Sequence, residues 1–166
     1  MAITREKKAA LLGELKDIVS NALSIAFVHF KGLNVQEANE LRSALKKDGV
    51  QYRVIKKTLL KRVLNDAPIA GDIPALDGEV AFAYIPKETG DMTAPARSLN
   101  DFVKKSKDRL MFLGGVIEQR FISKAEVEVV AAIPPTPVLR GMFVNVINSP
   151  IQKLVIALDA IAQKKA

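Results

Sequence analysis

Three of the chain's eight prolines stand within four positions, at Pro134, Pro135 and Pro137. Proline fixes its own φ, donates no backbone hydrogen bond and pushes the residue before it toward extended backbone. No helix interior or central strand runs through such a cluster. The sequence therefore predicts two pieces joined by a stiff, extended linker: a domain of ordinary size over residues 1–133 and an appendage over 134–166. Apolar residues make up 49 % of the chain, enough to bury a core and to exclude wholesale disorder.

Ahead of the prolines, helix and strand periods alternate. Leu11, Leu15, Ile18 and Ala22, widened by Leu12 and Val19, recur at helical spacing, with Thr4 as the expected N-cap. Arg5, Lys7 and Lys8 fall in the opening turn, where positive charge opposes the helix dipole. Ser24 to Phe30 reads as a buried strand ended by Lys31-Gly32. Asn34 with Glu37 three residues on is a capping box for the next helix, which Gly49 stops. A strand is expected over Val50–Ile55, then a short helix capped by Thr58 and running to about Asp66. Pro68, Gly71 and Pro74 mark the stretch from Ala67 to Gly78 as a loop. A strand over Glu79–Ile85, a helix over about Thr93–Lys107 and a strand over Leu110–Ile117 follow, with Gly114-Gly115 marking a bulge or close approach.

That order, β-α-β, inserted helix, β-α-β, is the split-βαβ pattern. The fold class is thus α+β: a ferredoxin-like domain of four strands with helices on one face, a helix added in front and a helical extension behind. Ser123 and Glu126 form a second capping box, opening a short helix to about Ala132.

Beyond the prolines, Thr136 and Pro137 read as N-cap and first helical residue, and Leu139, Met142, Phe143, Val146 and Ile147 lie along the segment that follows. Ser149-Pro150 repeats the start signal, so the helix is expected to restart or kink there. Ile151, Leu154, Val155, Leu158 and Ile161 form the second stripe, and Ile156, Ala157, Ala160 and Ala162 carry apolar surface round much of the circumference. A terminal helix most often packs on its own domain. The linker and the breadth of the apolar surface point instead to docking in a partner's groove. A membrane-surface helix needs cations along its polar side, and between Ile151 and Ala162 only Lys153 supplies one.

Charge is unevenly spread. The chain carries a net +7; residues 1–67 hold 13 Lys/Arg against 7 Asp/Glu, whereas residues 68–100 hold 2 against 5. A local basic field suits a polyanion, because binding releases condensed counterions; a Lys-rich surface kept for solubility has the same composition. Arg53, Lys56, Lys57, Lys61 and Arg62 put five cations in ten residues with no acid among them. A helix start inside that cluster is a ready phosphate site, through free N–H groups flanked by lysines. The alternative is a solvated helix face.

Catalytic chemistry has little to stand on. Cys is absent and His29 is the only histidine, so thiolate zinc sites, cysteine nucleophiles and multi-His metal sites are excluded. No phosphate-binding glycine loop, Gly-x-Ser-x-Gly turn or zinc-protease helix occurs. His29 between Val28 and Phe30 reads as a structural histidine, and Tyr52 and Tyr84 as sheet packing. No catalytic residue, metal or cofactor is expected. No secretory leader or membrane span is expected either, which points to the cytoplasm.

Several motifs then converge: Ala2 to Lys8, Phe27 to Leu33, Glu40-Leu41-Arg42 through Gly49-Val50, Tyr52 to Arg62, Gly114-Gly115-Val116, and Pro150-Ile151 with Leu154-Val155 through Leu158. In this order and spacing the chain resembles, over nearly its whole length, the bacterial large-subunit ribosomal stalk-base family, the tenth of the large-subunit series. The resemblance implies an N-terminal domain that holds the stalk-base segment of large-subunit rRNA beside a neighbouring ribosomal protein. It also implies a last helix that carries dimers of the acidic stalk protein, which recruit translational GTPases. By the same resemblance, Arg5, Lys7, Lys8, Lys31, Gly32, Arg53, Lys56, Lys57, Thr58, Lys61 and Arg62 fall on RNA-facing motifs. Met142, Phe143, Val146, Ile147, Ile151, Leu154, Val155, Leu158 and Ile161 fall on the dimer-binding helix. Two start signals imply two binding segments and two dimers. A free RNA-binding translational regulator using the same basic face, and a small ferredoxin-like enzyme, are the competing readings.

Overall fold

The structure, a computed structural model, describes residues 5–86, 91–105 and 109–165. The elements in chain order are α1 (Arg5–Asn21), β1 (Ala22–Phe30), α2 (Val35–Lys47), β2 (Gln51–Val54), α3 (Lys57–Asp66), β3 (Val80–Pro86), α4 (Ala94–Lys105), β4 (Leu110–Ile117), β5 (Arg120–Ser123), α5 (Lys124–Ala131) and α6 (Thr136–Lys165). The expected cap Thr4 and the expected helix end Lys107 lie outside the described residues. The chain divides into two compact units, residues 1–133 and 134–166.

The first unit is built on one sheet of order β2-β3-β1-β4-β5, and every neighbouring pair is antiparallel. β3 lies between β1 and β2, which therefore run parallel to each other without touching. This is the split-βαβ order, and the α+β class with a helical extension holds.

Two features depart from expectation. A fifth strand, β5, extends the sheet beyond β4. The helices also cover both faces rather than one. On β1, Ala26 and Val28 pack with α2, α4 and α5 through Leu41, Leu45, Leu99 and Val127. The alternate residues, Ile25 and Phe27, pack with α1 and α3 through Leu15, Leu59, Leu60, Val63 and Leu64. β3 divides the same way: Ala81, Ala83 and Ile85 face one layer, Val80, Phe82 and Tyr84 the other. A strand buried on both sides carries a continuous apolar run instead of an alternating one, as residues 25–28 do.

Close approach explains Gly115. A Cβ there would stand 2.7 Å from the Ile25 carbonyl oxygen across the β1–β4 pair. The register of that pair slips between Phe27 and Val28, opposite Gly114 and Phe112, so Leu113 is the extra residue of a bulge.

Helix ends show where local rules won and lost. The Asn34 N–H donates to Glu37 Oε2 at 3.1 Å, and the Ser123 N–H donates to Glu126 Oε2 at 2.7 Å, closing both expected capping boxes. The Ser123 N–H and hydroxyl together hold the Glu126 carboxyl below its usual range. Thr58 is not a cap. The N-cap of α3 is Lys56, in extended backbone, and Thr58 is the second helical residue. The Ile55 N–H still donates to the Val80 carbonyl at 3.3 Å, which carries β2-like pairing right up to the turn, and the Lys56 carbonyl then takes the Leu59 N–H at 2.9 Å.

Thr136 is likewise the first residue of α6 rather than its cap, because the Pro135 carbonyl accepts the Val138 and Leu139 N–H groups at 2.9 and 3.1 Å. Nor does α6 restart at Ser149-Pro150. It is one helix of 30 residues with Pro150 inside it. Proline forfeits one hydrogen bond, to the Val146 carbonyl, while the turns on either side keep theirs.

The loop after α3 closes the outer edge of β5. Ala70 bridges Arg120 in parallel: its N–H donates to the Gln119 carbonyl and its carbonyl accepts the Phe121 N–H, both at 2.9 Å.

Candidate nucleic-acid interface and docking helix

β1 and β2 point the same way, so the loops leaving them emerge at one end of the sheet. The first carries Lys31 and Gly32, the second Ile55 and Lys56, leading into Lys57 and Thr58 of α3. All of these except Ile55 are exposed. Beside the second loop lies an open groove of about 510 Å³, lined by Phe30, Val54 to Thr58 and Gly78 to Val80.

The α3 start has the electrostatics of an anion site. It has no side-chain cap and no acidic residue in its first turn. Its first N–H groups therefore face outward with the positive end of the helix dipole, between two lysine side chains. Leu59, Leu60, Val63 and Leu64 are buried against the sheet, which turns Lys57, Thr58, Lys61 and Arg62 to solvent. Among the described residues, Lys56, Lys57, Lys61 and Arg62 form no ion pair, and the same holds for Lys8 and Lys31.

Arg53 differs. Its guanidinium Nη1 donates to Glu14 Oε2 of α1 at 3.2 Å, with both side chains about half exposed. It is the one member of the five-residue cluster with an internal partner among the described residues.

α1 lies beside α3 on the same face of the sheet. Lys16 pairs with Asp66 at 2.9 Å, tying the later turns of both helices together. Counting back eight residues along each, about 12 Å at 1.5 Å per residue, brings Lys8 toward the Thr58 end. The side chains of Arg5 and Lys7 lie outside the described residues, although their backbone belongs to α1.

One cation at this end carries no signal in the linear sequence. Arg109 stands just before β4, and its carbonyl accepts the Lys31 N–H at 2.8 Å. Its guanidinium binds Glu37 Oε1 at 2.9 Å. Only the antiparallel pairing of β1 with β4 brings it beside Lys31. Glu79, which lines the groove, sets a negative charge among these cations.

His29 is half-buried in β1, and its Nδ1–H donates to the Glu79 carbonyl at 2.9 Å. Among the described residues no three His, Asp or Glu side chains gather in a way that could hold a metal ion. Tyr84 is buried and stacks on Phe82 with ring centroids 5.6 Å apart. Tyr52 is partly buried against the α2/α4 layer. Both tyrosines are sheet packing.

The second unit is α6. At 1.5 Å per residue its 30 residues span about 45 Å. Met142, Phe143, Val146, Ile147, Ile151, Leu154, Val155, Leu158 and Ile161 are all exposed, from 53 % at Met142 and Ile161 to 70 % at Val146. By length and average composition alone, Thr136–Lys164 is long and apolar enough to cross a membrane. No uninterrupted apolar run in it approaches a membrane span, because Arg140, Asn145, Asn148 and Lys153 are among the residues that break the runs, while the average over a longer window stays high. Arg140, Lys153 and Asp159 within the helix would each cost about 2.5–3.5 kcal/mol at a bilayer centre.

A basic α+β domain followed by an apolar helix that leaves its side chains unburied is the build of an assembly component. The model of the Ribosomal protein L10 family matches residues 3–104, and that of the Ribosomal protein uL10 C-terminal region matches residues 134–166. The chain belongs to the ribosomal protein L10 family, a family of ribosomal structural proteins and not of enzymes. Large ribosomal subunit protein uL10 of Shouchella clausii is 33 % identical over 165 residues, covering 99 % of this chain and 97 % of that one. Its counterpart in Bacillus cereus is 34 % identical over the same span and coverage. That of Dehalococcoides mccartyi is 35 % identical over 159 residues, 96 % of this chain and 89 % of that one.

Proposed function

We propose that the chain is a structural constituent of the large ribosomal subunit in the cytoplasm, where it forms the base of the stalk. Residues 1–133 bind large-subunit rRNA, beside a neighbouring stalk-base protein, through the end of the sheet that carries Lys31, Gly32, Lys56, Lys57 and Thr58 and along α1 and α3 through Lys8, Arg53, Lys61 and Arg62; the family resemblance adds Arg5 and Lys7. Residues 134–166 carry dimers of the acidic stalk protein on α6, two of them, one on each side of Pro150, and so serve the translational GTPases indirectly. The observation that carries this reading is a pairing within one chain of this family. Around the α3 start stand cations with no internal counter-ion among the described residues, and α6 leaves its apolar side chains unburied. The charge of α6 suits an acidic partner: Arg140, Lys153, Lys164 and Lys165 stand against Asp159 alone.

Co-expression with the acidic stalk protein followed by native mass measurement tests the second half. The expected complex is one chain with four stalk-protein copies. A chain that emerges alone overturns the tether, and one with two copies overturns the count.

A further inference from the structure

His29 and Gly78 meet at the entry to β3. The His29 ring packs against Gly78: a Cβ on that glycine, which sits at φ +72°, would fall 2.3 Å from His29 Cε1 and 2.6 Å from Nδ1. The next residue, Glu79, offers its carbonyl to two donors at the end of β1, the His29 Nδ1–H at 2.9 Å and the Phe30 N–H at 3.2 Å. One residue further on, the Val80 carbonyl accepts the Ile55 N–H at 3.3 Å, immediately before Lys56. Segment 78–80 therefore touches the root of both basic loops, Lys31-Gly32 on one side and Lys56-Lys57-Thr58 on the other, and it lines the groove that Phe30 and Val54 to Thr58 also line. Because β3 is the strand between β1 and β2, it sets their separation at two strand spacings, about 10 Å.

We propose that His29 is a positioning residue: by clamping Gly78 and Glu79 at the entry to β3, it holds the two basic loops at the spacing at which both contact the phosphates of one RNA strand. The proposal rests on the RNA-binding reading above. The side chain does not touch the RNA. It removes freedom that the loops would otherwise lose on binding, so its effect is on affinity more than on the number of charges neutralised. A glycine at position 78 follows from two causes, the left-handed backbone at φ +72° and the ring that any Cβ would displace.

The test uses the full chain and a transcript of the stalk-base segment of large-subunit rRNA, titrated at several salt concentrations. His29→Leu, which keeps bulk and loses the donor, is expected to bind about tenfold more weakly with an unchanged salt slope. His29→Asn, which can place an N–H near the Nδ1 position, is expected to recover most of that loss. Gly78→Ala is expected to match His29→Leu. Amide exchange at Phe30 and Ile55, read without RNA, is expected to quicken in His29→Leu and Gly78→Ala but not in His29→Asn. Should His29→Leu fold poorly, His29→Gln, which also loses the short-range Nδ1 donor position, takes its place beside His29→Asn, because Gly78→Ala adds backbone strain of its own at φ +72°. Parent-like affinity in His29→Leu or Gly78→Ala, with Lys56→Ala weakened, overturns the positioning role and spares the interface. Equal weakening in His29→Leu and His29→Asn also overturns it. A Lys56→Ala variant with parent affinity and slope overturns the RNA-binding reading itself.

Discussion

At the scale of single residues, the basic cluster divides by what each cation already touches. Lys61 has no ion pair among the described residues, whereas Arg53 is shared with Glu14 at 3.2 Å. Replacing Lys61 with Ala is expected to lower the salt slope of RNA binding by about one unit. Arg53→Ala is expected to lower it by less, because the guanidinium must first leave its carboxylate. Titrations at four or more salt concentrations read both, and a flat response to Lys61→Ala excludes phosphate contact there. Tyr52 supplies a second prediction. Burial pushes its hydroxyl up to about 12, against a smaller opposing pull from Arg42. The folded state thus holds Tyr52 neutral where the unfolded chain, with the ordinary value of 10.0, begins to ionise. Stability from this group is complete below pH 10 and is lost as the pH rises toward 12. Urea melts at pH 9 and 11, about one unit below and above that threshold, should show a larger drop in the parent than in Tyr52→Phe. The five cations were legible one by one in the sequence. Arg109 was not, because its nearness to Lys31 exists only through strand pairing across the sheet.

At the scale of elements, legibility tracked how local the signal was. α2 and α5 open on the capping boxes that four consecutive residues spell out. Ser123→Ala, which removes an acceptor and keeps the backbone, is expected to cost about 1 kcal/mol in chemical denaturation. β5 was hidden for the converse reason. Its hairpin turns through Glu118 and Gln119 at φ 51° and 59°, where such a turn ordinarily advertises itself with Asn or Gly. A strand of four residues then leaves too little pattern to notice. Two-sided coverage of the sheet was present in the apolar run at residues 25–28 of β1 but needed a decision about layers that periodicity does not make. On α6, the two halves divided by Pro150 should act separately. Phe143→Asp and Leu158→Asp are each expected to remove one stalk dimer and leave the other, read as a loss of two stalk-protein copies in native mass. Loss of both dimers from either change would mean a single continuous docking site.

At the scale of the whole molecule, residues 1–133 have their own two-layered core and α6 shares none of its clusters. A chain ended at Ile133 is therefore expected to melt as the parent domain does and to bind rRNA within about twofold, while losing stalk-protein binding altogether. Equal loss of RNA binding would mean that the two units do not act separately. The loop that hems β5 has a consequence of its own. The backbone amides on that rim are spent, Phe121 on Ala70 and Ser123 on Glu126. A second molecule arriving strand-first finds no template for a continuous intermolecular ribbon there, so concentrated chain has one fewer route into fibrils.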